Sequence, residues 1–353
     1  MSYDRGVDLG FVRSYNESVV LGLVRDGAAT RVELAELTGL TPQAVSKIIA
    51  RLVAAGLVAE GGTRNVGVGK PRTLLTVVPG GAHAFGVHVD RDELRVVLTD
   101  LTGAVVHRSS TPLSAGFTPA VVVDALAAAV SSAAVSSVSV ERLLGVGIGI
   151  AGPLDFRDGV VHDATGLPGW HDVPLRELVS ARLGLPVLVD KDTNVAVVAE
   201  AWRRGPEFRD AAVVYVGTGV GAGLLLDGTV HRGARSGAGE FGHTTIQLDG
   251  PACACGRTGC VEAVHRVRVE SGDLPAAADV LGVAVMDLVR LLDISHVVLS
   301  GRSVLDAPGA YLSGVRARVP SSEWLPVEVS VTALGADLVA VGAAQLVLGQ
   351  LFA

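Results

Sequence analysis

The chain has 353 residues, 49% of them hydrophobic and 4% aromatic, with a formal net charge of −7. That length suits two or three domains, and a composition rich in Gly, Ala and Val suits packed α/β layers and excludes a disordered chain. Asp124, Asp279, Asp287 and Asp337 break the most apolar stretches, so none reaches the roughly 18 uninterrupted apolar residues of a membrane span. The first residues include Asp4, Arg5 and Asp8 and hold no apolar signal core, so a cytoplasmic location is expected.

Charge is unevenly placed. Residues 1–80 carry 9 Lys/Arg against 7 Asp/Glu, and the remainder carries 20 against 29. A basic segment on an acidic body fits a local contact with a polyanion. Residues 16–25 read as a first helix, with Val19, Val20, Leu23 and Val24 on one face. Thr30 and Glu33 form a capping box that opens a second helix through Leu37. After the turn Thr38-Gly39-Leu40, Thr41 is the N-cap and Pro42 the first helical residue of a third helix. That helix aligns Val45, Ile48, Ile49, Leu52 and Val53 on one stripe. Its other face shows Gln43, Ser46, Lys47 and Arg51. In a helix-turn-helix such a face enters the major groove of double-stranded DNA. Two short apolar runs, 57–59 and 74–78, flank a Gly-rich loop with Arg64, Lys70 and Arg72, which reads as a β-hairpin wing. Pro79-Gly80-Gly81 reads as a linker, so residues 1–80 are expected to form a winged helix-turn-helix whose DNA contacts come from Thr41, Gln43, Ser46, Lys47, Arg51, Arg64, Lys70 and Arg72.

From residue 83, β runs at 84–89, 94–99, 104–108, 143–150, 186–189, 212–216, 222–226, 296–300 and 327–331 mix with helical stretches at 119–135, 174–183, 194–204, 276–293 and 336–350. This pattern predicts mixed sheets faced by helices, in two lobes with a cleft between them. All three cysteines, Cys253, Cys255 and Cys260, fall within eight residues. Together with His243 they make a closed three-thiolate, one-imidazole set that favours structural Zn2+ over a disulfide framework. Spacing alone leaves His265 as another candidate for the fourth ligand.

The strings GVGIGIAGPLD (145–155), LPGW (167–170), DKDTNVAVVAEA (190–201), GTGVGAG (217–223), GAGEFGH (237–243) and CACGRTGCVEA (253–263) together resemble the ROK family of repressors, open reading frames and sugar kinases. The resemblance is collinear from residue 83 onward, and the N-terminal unit resembles that of ROK repressors. It implies an actin-like (ribonuclease H-like) two-lobed fold over 81–353. It also implies a hexose site at the Asp192, Glu240, His243 and Glu262 positions, where carboxylates would read sugar hydroxyls.

Several residues depart from that family's kinases. His88 stands where they carry an Asp, and Asp90 and Arg91 replace phosphate-loop glycines. Side chains there block close backbone approach, and Asp90, Asp92 and Glu93 would repel a triphosphate. Ser300-Gly301-Arg302 occupies a usual Gly-Gly turn. Asp192 keeps the catalytic-base position, but a base without a phosphate cradle transfers nothing, so a non-enzyme is expected. Lys191 replaces an Asn that would bind sugar, and Thr165-Gly166 stands where another Asn is expected. Lys191 either retunes the pocket for an anionic effector, a sugar phosphate or sugar acid, or pairs with Asp190 or Asp192 in a pocket that is weakened or empty; the second reading is slightly favoured. The short HRVRVESGDLP segment at 265–275 reads as a trimmed lobe. The overall expectation is a sugar-responsive repressor, a homodimer or homotetramer on a two-fold DNA operator. The rivals are a sugar kinase with an appended DNA-binding unit and a ligand-independent DNA-binding protein.

Overall fold

The computed structural model describes residues 9–27, 30–65, 71–137, 142–162, 167, 169–319 and 321–352. Lys70 and Thr165-Gly166 lie outside the described residues.

Helix α1 (Leu9–Arg25) begins earlier than its amphipathic pattern predicts, followed by α2 (Arg31–Thr38) and α3 (Pro42–Ala54). Thr30 caps α2, its hydroxyl accepting the Glu33 N–H at 3.3 Å. The Glu33 carboxylate accepts the Thr30 hydroxyl at 3.1 Å, a variant of the expected capping box. Gly39 makes the turn to α3 at φ +68°, and Thr41 caps α3 through the Ala44 N–H at 3.2 Å. Strands β1 (Val58–Arg64) and β2 (Arg72–Val77) pair antiparallel as the wing. Val20, Leu21, Leu34, Val45, Ile49, Val58 and Leu75 fill the core of this unit, whereas Val53 is exposed.

The junction differs from the expected linker. Pro79–Gly81 is a 3-10 turn with Gly81 buried, and Arg142 donates to the Gly81 carbonyl at 3.1 Å. A Cβ on Gly81 would lie 2.6 Å from the Gly56 carbonyl oxygen, so only glycine lets the two segments meet. Leu351 and Phe352, at the far end of the chain, pack on the N-terminal core.

The body holds two five-stranded sheets of the same plan. In the first, β3 (His83–Val89), β4 (Glu93–Asp100) and β5 (Val105–Pro112) form an antiparallel meander. After α4 (Pro119–Ser137), β6 (Leu143–Ile150) adds parallel to β3. The short strands β7 (Leu154–Asp155) and β8 (Val160–Val161) and helix α5 (Leu175–Leu183) precede β9 (Val187–Lys191), giving the order β5-β4-β3-β6-β9. Helix α6 (Asp192–Arg204) crosses to the second sheet. There β10 (Ala211–Val216), β11 (Val220–Leu226) and β12 (Thr229–Val230) form the meander. Helices α7 (Val261–Glu270) and α8 (Leu274–Leu292) lead to β13 (His296–Ser300). Helices α9 (Arg302–Asp306) and α10 (Pro308–Arg318) lead to β14 (Glu328–Val331), giving β12-β11-β10-β13-β14.

The final helix, α11 (Leu338–Leu348), packs with α6 between the sheets. It lies directly on β3 and β6: a Cβ on Gly147 would fall 1.8 Å from the Ala343 carbonyl oxygen. The glycines of the 145–155 motif therefore serve helix-on-sheet packing as well as the cleft. The segment expected to be a trimmed remnant forms most of α7 and a turn, after which Asp273 caps α8 by accepting the Ala276 N–H at 3.1 Å. No described helix is long and apolar enough to cross a membrane.

Candidate functional site

A cleft opens between the sheets. Lys191, Asp192, Glu240, His243 and Glu262, expected at the effector site, all line it, as do Asp90 and Arg91. Two come from one strand–helix junction: β9 ends at Lys191 and α6 starts at Asp192. Burial pushes the Asp192 carboxyl above the usual carboxylate range. Glu262, in the first turn of α7, accepts the Val220 N–H at 2.9 Å.

Lys191 does not pair with Asp190 or Asp192. Its ammonium donates to Glu240 Oε1 at 2.5 Å and to the Ala238 carbonyl at 3.0 Å. Asp190 is fully buried and already engaged by Arg232 at 2.8 Å, by the Asn194 amide at 2.8 Å and by the Lys191 N–H. That leaves Glu240, on the opposite lobe, to compensate the Lys191 charge. One carboxylate of the implied hexose site is thus tied to an ammonium across the cleft.

The metal-ligand set converges. The ligand atoms of His243, Cys253, Cys255 and Cys260 lie within 4.8 Å of one another. Cys253 Sγ is 3.5 Å from His243 Nδ1, and Cys255 Sγ is 3.6 Å from Cys260 Sγ. A tetrahedral ion with bonds of about 2.0–2.3 Å separates its ligands by about 3.5–3.8 Å, so the donors fit zinc. The backbone N–H and guanidinium of Arg257 pull the Cys255 thiol down to about 6, which favours the thiolate. His265 is excluded from this set: it is buried on α7 with Nε2 2.8 Å from the Tyr311 hydroxyl. His243 sits in both places, with Nδ1 at the thiols and its ring against the cleft. A bound ion would fix the loop from Glu240 to Glu262 and so orient the cleft wall.

The other end of the inter-lobe space has a different character. It is lined by His88, Asp90, Glu93, Arg95, Tyr215, Ser300 and Arg302, among others. Arg302 forms a two-pronged bond to Asp92, both contacts at 2.7 Å, which ties the β13–α9 turn to the β3–β4 turn of the facing lobe. Arg95 holds Glu93 at 2.8 and 2.9 Å and Asp337 at 3.2 Å. Asp92 and Glu93 are therefore held in closed ion pairs and do not present the bare repulsion expected from the sequence. Burial pulls the His88 imidazole below its usual value, favouring the neutral ring.

On the N-terminal unit, Gln43, Ser46 and Lys47 stand exposed on α3. The Thr41 hydroxyl serves as the helix cap. Arg51 pairs with Glu17 of α1, and Arg64 of the wing with Glu33 of α2. Arg72 lies partly buried opposite Arg64 in the ladder. The sequence reading missed a second pair that ties wing to helix, Arg31 with Glu60.

It also missed the contact joining this unit to the body. Arg25, at the end of α1, lies 4.4 Å from the ring centre of Trp202 on α6 and 4.6 Å from that of Phe352. The two rings meet edge to face at 5.2 Å.

Two joined parts, a winged helix-turn-helix and an actin-like two-lobed body with a Cys3His cluster, define the class of protein. The chain belongs to the ROK family, whose pattern matches residues 84–266, and the MarR family pattern matches residues 14–67. A putative xylose repressor of Caldicellulosiruptor sp. is 30% identical over 254 residues, 71% of this chain and 63% of that protein. The chain thus spans about 63% of the length of this relative. A ROK family transcriptional regulator described as a homologue of the E. coli Mlc protein shares the fold over 96% of this chain and 97% of its own, with a TM-score of 0.77 and 20% identity. A ROK glucokinase from Streptomyces griseus, solved with glucose and AMPPNP, covers 75% of this chain and 99% of its own, with a TM-score of 0.64 and 26% identity.

Proposed function

We propose that this chain is a sugar-responsive transcriptional repressor that has lost sugar-kinase activity. Residues 1–80 read double-stranded DNA, and residues 81–353 sense the effector. Gln43 and Ser46 reach base edges, Lys47 grips phosphate, and Arg51, Arg64, Lys70 and Arg72 add backbone contacts. The names of the repressor relatives support this reading, and the Arg302–Asp92 strap supports the loss of phosphoryl transfer. Zinc on His243, Cys253, Cys255 and Cys260 is the structural ion. A homodimer or homotetramer places two α3 helices about one DNA turn apart on a two-fold operator.

The observation that carries the proposal is the path of α6. It starts at Asp192 in the effector cleft and reaches the DNA-binding unit through Trp202, Arg25 and Phe352. A ligand that shifts the N-terminus of α6 repositions α1, and with it the spacing between paired α3 helices.

The test is fluorescence anisotropy on a duplex selected from a random-sequence pool, titrated with sugars. Wild-type protein should release DNA on sugar addition. Trp202→Ala should keep DNA binding while the sugar's effect on DNA affinity falls at least five-fold, on the scale of a coupling of about 1–3 kcal/mol. Undiminished release in that variant would refute the α6 path. DNA affinity indifferent to every sugar would refute the sensing role.

A further inference from the structure

Four cationic side chains line the two ends of the inter-lobe space: Arg91, Lys191, Arg95 and Arg302. Three are committed to carboxylates: Lys191 to Glu240, Arg95 to Glu93 and Asp337, and Arg302 to Asp92. Among the described residues, Arg91 has no carboxylate within ion-pair range of its guanidinium, and its Nε is buried with no hydrogen-bond partner. Its neighbour Asp90 is turned elsewhere, accepting the Arg91 backbone N–H at 2.8 Å and lying 4.0 Å from Arg302. A guanidinium donor removed from water and left unpaired is unfavourable, and the deficit is relieved by whatever pairs with it.

We infer that Arg91 is an anion receptor in the effector cleft, and that the effector is a sugar carrying a phosphate or a carboxylate. This rests on the sugar-sensing reading above and names the chemistry of its ligand. The planar guanidinium matches both anions through two parallel N–H···O bonds. Glu262 and recessed Asp192, on the walls of the same cleft, are the acceptors for ring hydroxyls. Lys191, the residue that first suggested an anionic ligand, is the weaker candidate because Glu240 already neutralises it. A neutral sugar leaves the Arg91 donors unpaired, and an amino sugar sets an ammonium against them.

The full-length, metal-loaded chain would be titrated by calorimetry with D-glucose, D-ribose, glucose 6-phosphate, ribose 5-phosphate, glucuronate and glucosamine. At least one anionic sugar should bind ten-fold or more tightly than its neutral parent, and comparison of the phosphates with glucuronate identifies the head group. In Arg91→Gln the ratio of anionic to neutral affinity should fall toward one, and Arg91→Lys should retain part of it. Circular dichroism and metal content check that both variants are folded. Neutral sugars binding as tightly as anionic ones, or an unchanged ratio in Arg91→Gln, would overturn the inference and leave the sugar-sensing reading standing. Binding of no sugar to folded wild-type protein would overturn both.

Discussion

The two ends of the inter-lobe space share walls and differ in how their charges are used. At the end lined by the sugar-site positions, Asp192 and Glu262 face the cleft with no ion-pair partner among the described residues, while Lys191 to Glu240 and Arg232 to Asp190 cross between lobes. At the nucleotide end, Arg302 and Arg95 consume Asp92, Glu93 and Asp337 in mutual pairs. A kinase needs both ends open. Here one end retains carboxylates that a ligand can satisfy, and the other pairs most of its charges among themselves. The proposed loss of phosphoryl transfer would therefore need no collapse of the fold, only side chains in place of phosphate-loop glycines and an arginine in place of a turn glycine.

The comparison can be broken first at the metal loop. Cys255→Ser should lose the ion and lower the melting temperature by on the order of 10 °C, because several kcal/mol of metal binding are linked to loop order. It should also weaken sugar binding, since Glu240, His243 and Glu262 bracket that loop. A variant that keeps one equivalent of zinc by elemental analysis would refute the ligand set.

A smaller effect is expected at the inter-lobe bridge. Glu240→Ala leaves the Lys191 ammonium, only 5% exposed, with the Ala238 carbonyl as its remaining partner among the described residues. Urea unfolding should show a loss of about 2 kcal/mol, below the figure for a fully buried pair because Glu240 is itself 52% exposed. No loss would mean that Lys191 finds water or another acid.

The smallest effect belongs to the strap. Its two partners are half-exposed, so Arg302→Ala should cost about 1 kcal/mol or less. The Arg302 hydrogen bonds hold the Asp92 carboxyl below its usual range. Its contribution is therefore fully present above the unfolded value of about 3.9 and is lost as pH falls through the lowered folded value. Stability of the wild type should drop more steeply than that of Arg302→Ala across this acid window. Parallel curves would show that the strap contributes nothing.

Much of this was legible in the sequence where the signal is local. Helix α3 declares itself by a cap, a proline and an apolar stripe within fourteen positions, 41–54. The metal loop declares itself because cysteine occurs nowhere else in the chain. Helix α7 was hidden because VEAVHRVRVE follows the cysteine loop directly and mixes valine with charge on several faces. Helix α10 was missed because PGAYLSGVRAR buries only Tyr311 and Val315. The partner of Lys191 was illegible for a different reason: Glu240 is 49 positions away on the other lobe, and only closure of the two sheets on α6 and α11 brings them together. The same holds for Arg302 with Asp92, 210 positions apart. Family resemblance located the cleft, and tertiary closure decided which of its charges remain available.

The measurement that tests the central contrast most directly is a thermal-shift titration of the metal-loaded wild-type chain with neutral sugars, anionic sugars and ATP with magnesium. A sugar at a hundred times its dissociation constant should add about 2.7 kcal/mol and raise the melting temperature by several degrees, while ATP leaves it unchanged. Stabilisation by ATP, alone or enhanced by sugar, or stabilisation by no sugar at all, would contradict the account.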